Sequence, residues 1–120
     1  MSSPNLILLY VQDPAASARF YRELLGREPA QAFPAYVAFA LDGGLMLGLW
    51  ATHRVTPPPP TRGNRGELAY AVADDAAVAR MHADWVARGI EIEQPPHADV
   101  FGLTFVALDP DGHRIRVCPA

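Results

Sequence analysis

Apolar and polar positions alternate or recur with two periods along this chain, and the two periods come in a fixed order. An apolar stretch of about six residues starts at Leu6 ("LILLYV"), as expected of a β-strand. An aspartate follows, then an Ala-rich segment in which Ala16, Phe20 and Leu24 fall four apart on one helical face, with Gly26 as the stop. Asp13 suits an N-cap and Pro14 the first helical position. The same order returns at Glu67 with "ELAYAVADDAAVARMHADWVARG". There Asp74 or Asp75 caps the helix, Val78, Met81 and Trp85 mark its buried stripe, and Gly89 ends it. Further strands are expected around 36–41, 45–51, 90–93, 101–108 and 113–118. The Gly43-Gly44 and Asp111-Gly112 pairs are hairpin signals.

The recurrence extends to identities. Val11, Asp13, Ala16, Ala18 and Arg19 match Val72, Asp74, Ala77, Ala79 and Arg80 at a constant offset of 61. "ALDGGLMLGLW" (40–50) likewise resembles "ALDPDGHRIRV" (107–117). The chain therefore reads as one domain built from two copies of a strand–helix–strands unit: unit one at 4–51, a linker at 52–66 and unit two at 67–119. The linker carries a proline run at 57–60 that favours an extended, semi-rigid segment. It is expected to be a spacer, a flap over a ligand, or a hinge that exchanges units between subunits.

Composition narrows the function classes. With 120 residues, half of them hydrophobic and 19% charged, the chain has the profile of a small globular protein. A net charge of −3 argues against nucleic acid as a partner. No apolar run reaches the length of a membrane span. "MSSPNLILLYVQD" lacks the basic region of a signal peptide, so a cytoplasmic location is expected. The single cysteine, Cys118, excludes an intrachain disulfide.

The duplicated unit, with Val11, Asp13, Ser17, Phe20, Tyr21, Leu24 and Gly26 in the first copy and Asp109, Pro110, Asp111 and Gly112 closing the second, resembles the vicinal oxygen chelate superfamily. This is the glyoxalase, bleomycin-resistance and extradiol dioxygenase group. The resemblance implies an α+β fold of two tandem βαβββ units, forming a curled mixed sheet around a cavity with the helices outside. Enzymes of the group hold a metal there. The resemblance places their ligands seven residues before each strand-ending aspartate (histidine or glutamine) and four after each hairpin glycine (glutamate). Carried onto this chain, those positions are Leu6, Gly48, Glu67 and Arg116. Only Glu67 could bind a cation, and a guanidinium would repel one. No metal and no other cofactor is expected. Glu67 and Arg116 are expected to face each other as a buried ion pair, costly to desolvate and able to offer a donor to a ligand carbonyl or carboxylate.

Strand alternation then identifies the lining. Met46, Gly48 and Trp50 share a face, with Leu45, Leu47 and Leu49 turned to the helices. Leu6, Leu8 and Tyr10 line the cavity, as do Glu67, Ala69 and Ala71, and Arg114, Arg116 and Cys118. Tyr36, Phe39, Phe101 and Phe105 join the candidate ligand-binding residues without a firm assignment of face. The lining is apolar and aromatic, as for a flat ligand stacked on Trp50 or a neighbouring ring.

Other chemistry is weaker. His53, His82, His97 and His113 lack metal spacing, and surface roles are expected for His53 and His113. Cys118 reads as an inert thiol, and Asp13, Asp74 and Asp111 as caps and turn residues. The resemblance is to the metal-free members of the group, which sequester antibiotics such as bleomycin, mitomycin, phenazines and aromatic peptides. It implies non-catalytic binding of a planar aromatic small molecule, conferring self-resistance, by a homodimer whose units pair within one chain or swap between two. The alternatives are a metal-dependent glyoxalase- or dioxygenase-type enzyme with an unorthodox site, and a structural or regulatory module with a vestigial cavity.

Overall fold

The computed structural model describes residues 4–59, 66–100 and 102–120. The chain divides into two compact units, residues 1–62 and 63–120. Among the described residues the fold is α+β: two α-helices and eight strands in two mixed four-stranded sheets, one βαβββ copy in each. Neither sheet is closed on itself.

In the first unit β1 (Leu6–Val11) leads into α1 (Pro14–Leu25), followed by β2 (Gln31–Phe33), β3 (Tyr36–Ala40) and β4 (Met46–Ala51). The strand order is β1-β4-β3-β2, with β1 parallel to β4 and the other pairs antiparallel. Asp13 caps α1 as its position predicts, accepting the N–H groups of Ala15 (3.0 Å) and Ala16 (3.4 Å). Gly26 closes the helix in the left-handed region, φ 66°, where a side chain is disfavoured.

The buried face of α1 is rotated from the expected one. Pro14, Ser17, Ala18 and Tyr21 are buried, while Ala16, Phe20 and Leu24 stand at its margin. A serine sits at the centre of the buried stripe and hides it from a hydrophobicity count. This face covers Val37, Phe39, Leu47 and Leu49, which are 0–4% exposed. Strand β2 was not apparent in the sequence: it is three residues long and lies at the sheet edge, ahead of Pro34.

The second unit repeats the plan with β5 (Glu67–Val72), α2 (Asp75–Ala87), β6 (Glu91–Asp99), β7 (Gly102–Leu108) and β8 (Arg114–Pro119). The order is β5-β8-β7-β6, with β5 parallel to β8. Between the two candidates it is Asp74 that caps α2, accepting the Ala77 N–H at 2.8 Å. Asp75 instead accepts the Leu103 N–H at 3.0 Å and so ties the helix start to β7. Val78 and Trp85 are buried as the stripe predicts, with Met81 half-buried. Strand β6 runs on to Asp99, well past the expected 90–93, carried through Pro95 and Pro96 by two register shifts.

This unit's core is aromatic. Trp85 stacks edge-to-face on Phe105 (5.4 Å between centroids) and on Tyr70 (5.6 Å), and His82 meets Phe105 at 5.2 Å. Part of the 52–66 linker lies outside the described residues. Its start forms a short helical turn at Thr52–Arg54, anchored by the Thr52 hydroxyl donating to the Val11 carbonyl at 3.1 Å.

Candidate functional site

Each sheet has one face against its helix and one face away from it, and the candidate residues concentrate on the latter. Register fixes who sits there, because paired residues on neighbouring strands share a face. In the first unit Tyr10 pairs with Trp50, Trp50 with Tyr36, and Tyr36 with Phe33. Four aromatic residues thus form one row across all four strands. The next row holds Leu8, Gly48, Ala38 and Gln31, and the third Leu6, Met46 and Ala40. Leu6, Leu8 and Tyr10 remain 40–44% exposed and Phe33 59%. This is an apolar, ring-bearing surface with its middle made shallow by Gly48 and Ala38.

The corresponding face of the second unit is charged. Glu67, Ala69 and Ala71 lie beside Arg114, Arg116 and Cys118. Arg114 donates to both carboxylate oxygens of Glu93, at 2.8 and 2.7 Å. Arg116 reaches diagonally past its register partner to Glu67, at 2.6 Å through Nε and 3.3 Å through a terminal nitrogen. It also donates to the Thr104 hydroxyl at 3.3 Å, and that hydroxyl donates to the Val117 carbonyl at 2.9 Å.

The Glu67–Arg116 pair is therefore formed, but it is not buried: the side chains keep 31% and 23% of their exposure. The hydrogen bond that Arg116 donates to Glu67, together with the carboxylate's negative charge, holds the guanidinium more firmly protonated than a free arginine, against a smaller effect of burial. Hydrogen bonding to Arg114 likewise lowers the pKa of Glu93 below that of an ordinary glutamate. Glu67, Arg116, Cys118, Pro119 and Asp99 line an open recess of about 540 Å³.

Two candidates from the sequence do not reach these faces. Phe39 pairs with Leu47 and Phe105 with Val117, which puts both rings on the helix side, each fully buried. They are core residues, packed away from the open faces. Phe101 lies outside the described residues. The remaining candidates fall on the open face of one sheet or the other: Leu8, Tyr10, Tyr36, Met46, Gly48 and Trp50 on the first, Glu67, Ala69, Arg114, Arg116 and Cys118 on the second.

Phe33, Glu93 and Thr104 belong to these faces and were not singled out by sequence reasoning. For Glu93 a signal existed, since Glu91 and Glu93 alternate with Ile92. For Phe33, alone in a three-residue strand, there was none.

His113 is also not a surface residue. Its side chain is 12% exposed and its Nδ1 lies 2.7 Å from Oδ2 of buried Asp109. The other Asp109 oxygen accepts the N–H groups of Asp111 (2.9 Å) and His113 (2.8 Å). Asp109, Asp111 and His113 thus bring donor atoms within 4.8 Å of one another. Asp109 is already engaged with the turn it closes, and hairpin geometry accounts for the cluster.

The four positions that the resemblance assigns to metal ligands do not fit a cation. Leu6 and Gly48 bring no donor, Arg116 is a cation, and Glu67 is bonded to it.

Residues 3–117 match the Glyoxalase/Bleomycin resistance protein/Dioxygenase superfamily. The chain belongs to this superfamily. It is 34% identical over 120 residues to the phenazine antibiotic resistance protein EhpR of Enterobacter agglomerans, covering 98% of this chain and 92% of that one. A protein of Agrobacterium tumefaciens solved by NMR shares 44% identity at a TM-score of 0.87, over 99% of this chain and 98% of its own. A glyoxalase-related enzyme from Fulvimarina pelagi shares 28% identity at a TM-score of 0.83, over 100% and 89% of the two chains. The superfamily thus spans both resistance proteins and enzymes, and similarity to EhpR associates this chain with antibiotic resistance.

Proposed function

We propose that this protein binds and sequesters a planar aromatic antibiotic of the phenazine type without transforming it. The observation that carries the reading is the aromatic row Tyr10–Trp50–Tyr36–Phe33 on an exposed, apolar sheet face. Flat rings bury area against such a face and gain stacking energy on Trp50. The similarity to EhpR supports the phenazine class, and the loss of donors at Leu6, Gly48 and Arg116 supports binding without metal chemistry. Function is then affinity and stoichiometry: the drug is held away from its target in the cytoplasm. We place the activity in a homodimer, which light scattering of the purified protein checks.

The test titrates the protein with a phenazine carboxylic acid while following tryptophan fluorescence, melting temperature and the ligand itself by chromatography. Saturable quenching, with the ligand recovered unchanged, is the expected result. At a hundredfold excess over its dissociation constant the ligand adds about 2.7 kcal/mol of stability. Absence of both quenching and stabilisation rejects the reading. A second reading, a glyoxalase- or dioxygenase-type enzyme, draws on the likeness to the Fulvimarina pelagi protein. It requires a stoichiometric divalent ion by elemental analysis and consumption of substrate.

A further inference from the structure

The hydroxyl of Tyr36 lies at the centre of the apolar face, in an unusual setting. By register Tyr36 belongs to the aromatic row opposite Trp50, yet its side chain runs back to the next row and ends on Gly48. A methyl group placed on Gly48 would stand 2.6 Å from Tyr36 Oη, 2.9 Å from its Cε1 and 2.8 Å from Leu8 Cδ2, closer than atoms can pack. The glycine is therefore a notch that receives the polar end of the tyrosine. Ala38, the register partner of Gly48 on β3, keeps the other side of the notch low. Among the described residues Tyr36 Oη makes no hydrogen bond. Water can satisfy it in the free protein, since the residue is only half-buried.

We infer that Tyr36, seated on Gly48, is the specificity-determining residue of this face and selects planar heteroaromatic ligands over all-carbon ones of the same shape. The inference rests on the sequestration reading and names its ligand class. A flat molecule laid across the face displaces the water that serves Oη. An all-carbon ring system leaves the hydroxyl buried without a partner, a penalty equivalent to about a tenfold loss of affinity. A ring nitrogen or ring carbonyl oxygen at the ligand's edge, its lone pair pointing in the ring plane toward Oη, accepts the hydroxyl hydrogen and removes that penalty. Gly48 matters because a methyl group there occupies the notch and displaces the tyrosine, and with it the donor, from the position that meets the ligand's acceptor.

The deciding experiment titrates wild type, Tyr36→Phe and Gly48→Ala with two shape-matched probes, phenazine-1-carboxylate and anthracene-1-carboxylate, by tryptophan fluorescence. Wild type is expected to bind the phenazine about tenfold more tightly. Tyr36→Phe loses an unpartnered hydroxyl, so it keeps its melting temperature while the preference disappears. Gly48→Ala is expected to erase the preference as well. Equal affinity of wild type for both probes, or a preference that survives in Tyr36→Phe, overturns the inference and leaves sequestration standing. Failure of wild type to bind either probe removes the sequestration reading, and the inference with it.

Discussion

In the first unit the rings of Tyr10, Trp50, Tyr36 and Phe33 stand on the face turned away from the helix. In the second, Tyr70, Trp85 and Phe105 are packed edge-to-face beneath it. The topology is the same, but the first unit carries seven aromatic residues to the second's four, and besides burying Tyr21 and Phe39 on the helix side it displays a row of rings on the open face. Where the first unit shows rings, the second shows arginine–glutamate pairs. A duplicated unit needs only one apolar face per sheet to close its core. Once that face is filled, the other is free to diverge, and here one copy became ring-bearing and the other charged. The hairpins differ in the same sense. Asp42 of the first unit is 96% exposed and pairs with Arg27 at 3.4 Å, whereas its counterpart Asp109 is buried and gathers two backbone amides and His113.

Substitutions that exchange stability for recognition test this division. The largest effect is expected for Trp85→Ala, which empties the aromatic core of the second unit and costs about 3–5 kcal/mol in urea unfolding. A loss below 1 kcal/mol would show that the core does not depend on that ring. Trp50→Ala should do the reverse, lowering phenazine affinity about thirtyfold or more while leaving the melting temperature nearly unchanged. If it unfolds the protein instead, the exposed row is structural.

Next comes Arg116→Ala, which leaves Glu67 and Thr104 without their donor. A loss of about 1–2 kcal/mol is expected, with part of it recovered when Glu67→Gln is added. Strict additivity of the two changes would dissolve the pair as an energetic unit.

The smallest effect belongs to Glu93. Its pKa is lowered in the folded protein, chiefly by the hydrogen bond from Arg114, so its contribution is present above the ordinary glutamate range. It is lost as pH falls through the folded value. Glu93→Gln should melt slightly below wild type at about pH 6 and together with it at about pH 3, and salt should narrow the gap. A gap that widens in acid would reverse the assignment.

The repeat, the caps and the two faces were legible in the sequence, because each depends on local order: an aspartate before a helix, a glycine after it, alternation along a strand. Phe39 and Phe105 were not. Both lie in apolar runs, "YVAFA" and "LTFVAL", where neighbouring residues on both faces are hydrophobic and alternation carries no sign. Only pairing with Leu47 and Val117 decides their side. The buried stripe of α1 was displaced because Ser17, a polar residue by type, is its centre. His113 was misplaced because the turn that buries it is held by Asp109, a contact between side chain and backbone with no hydrophobic signature.

Strand β6 forms the outer border of its sheet, with two prolines at 95–96 and two breaks in register. Proline offers no amide hydrogen, and a bulged strand presents its remaining donors out of line. A stray chain therefore finds no regular ladder to extend along that border. The first sheet guards the matching border by brevity, since β2 is only three residues long. Fibrillar stacking, the standing hazard of small β-rich proteins, is obstructed at both of these margins by backbone chemistry alone.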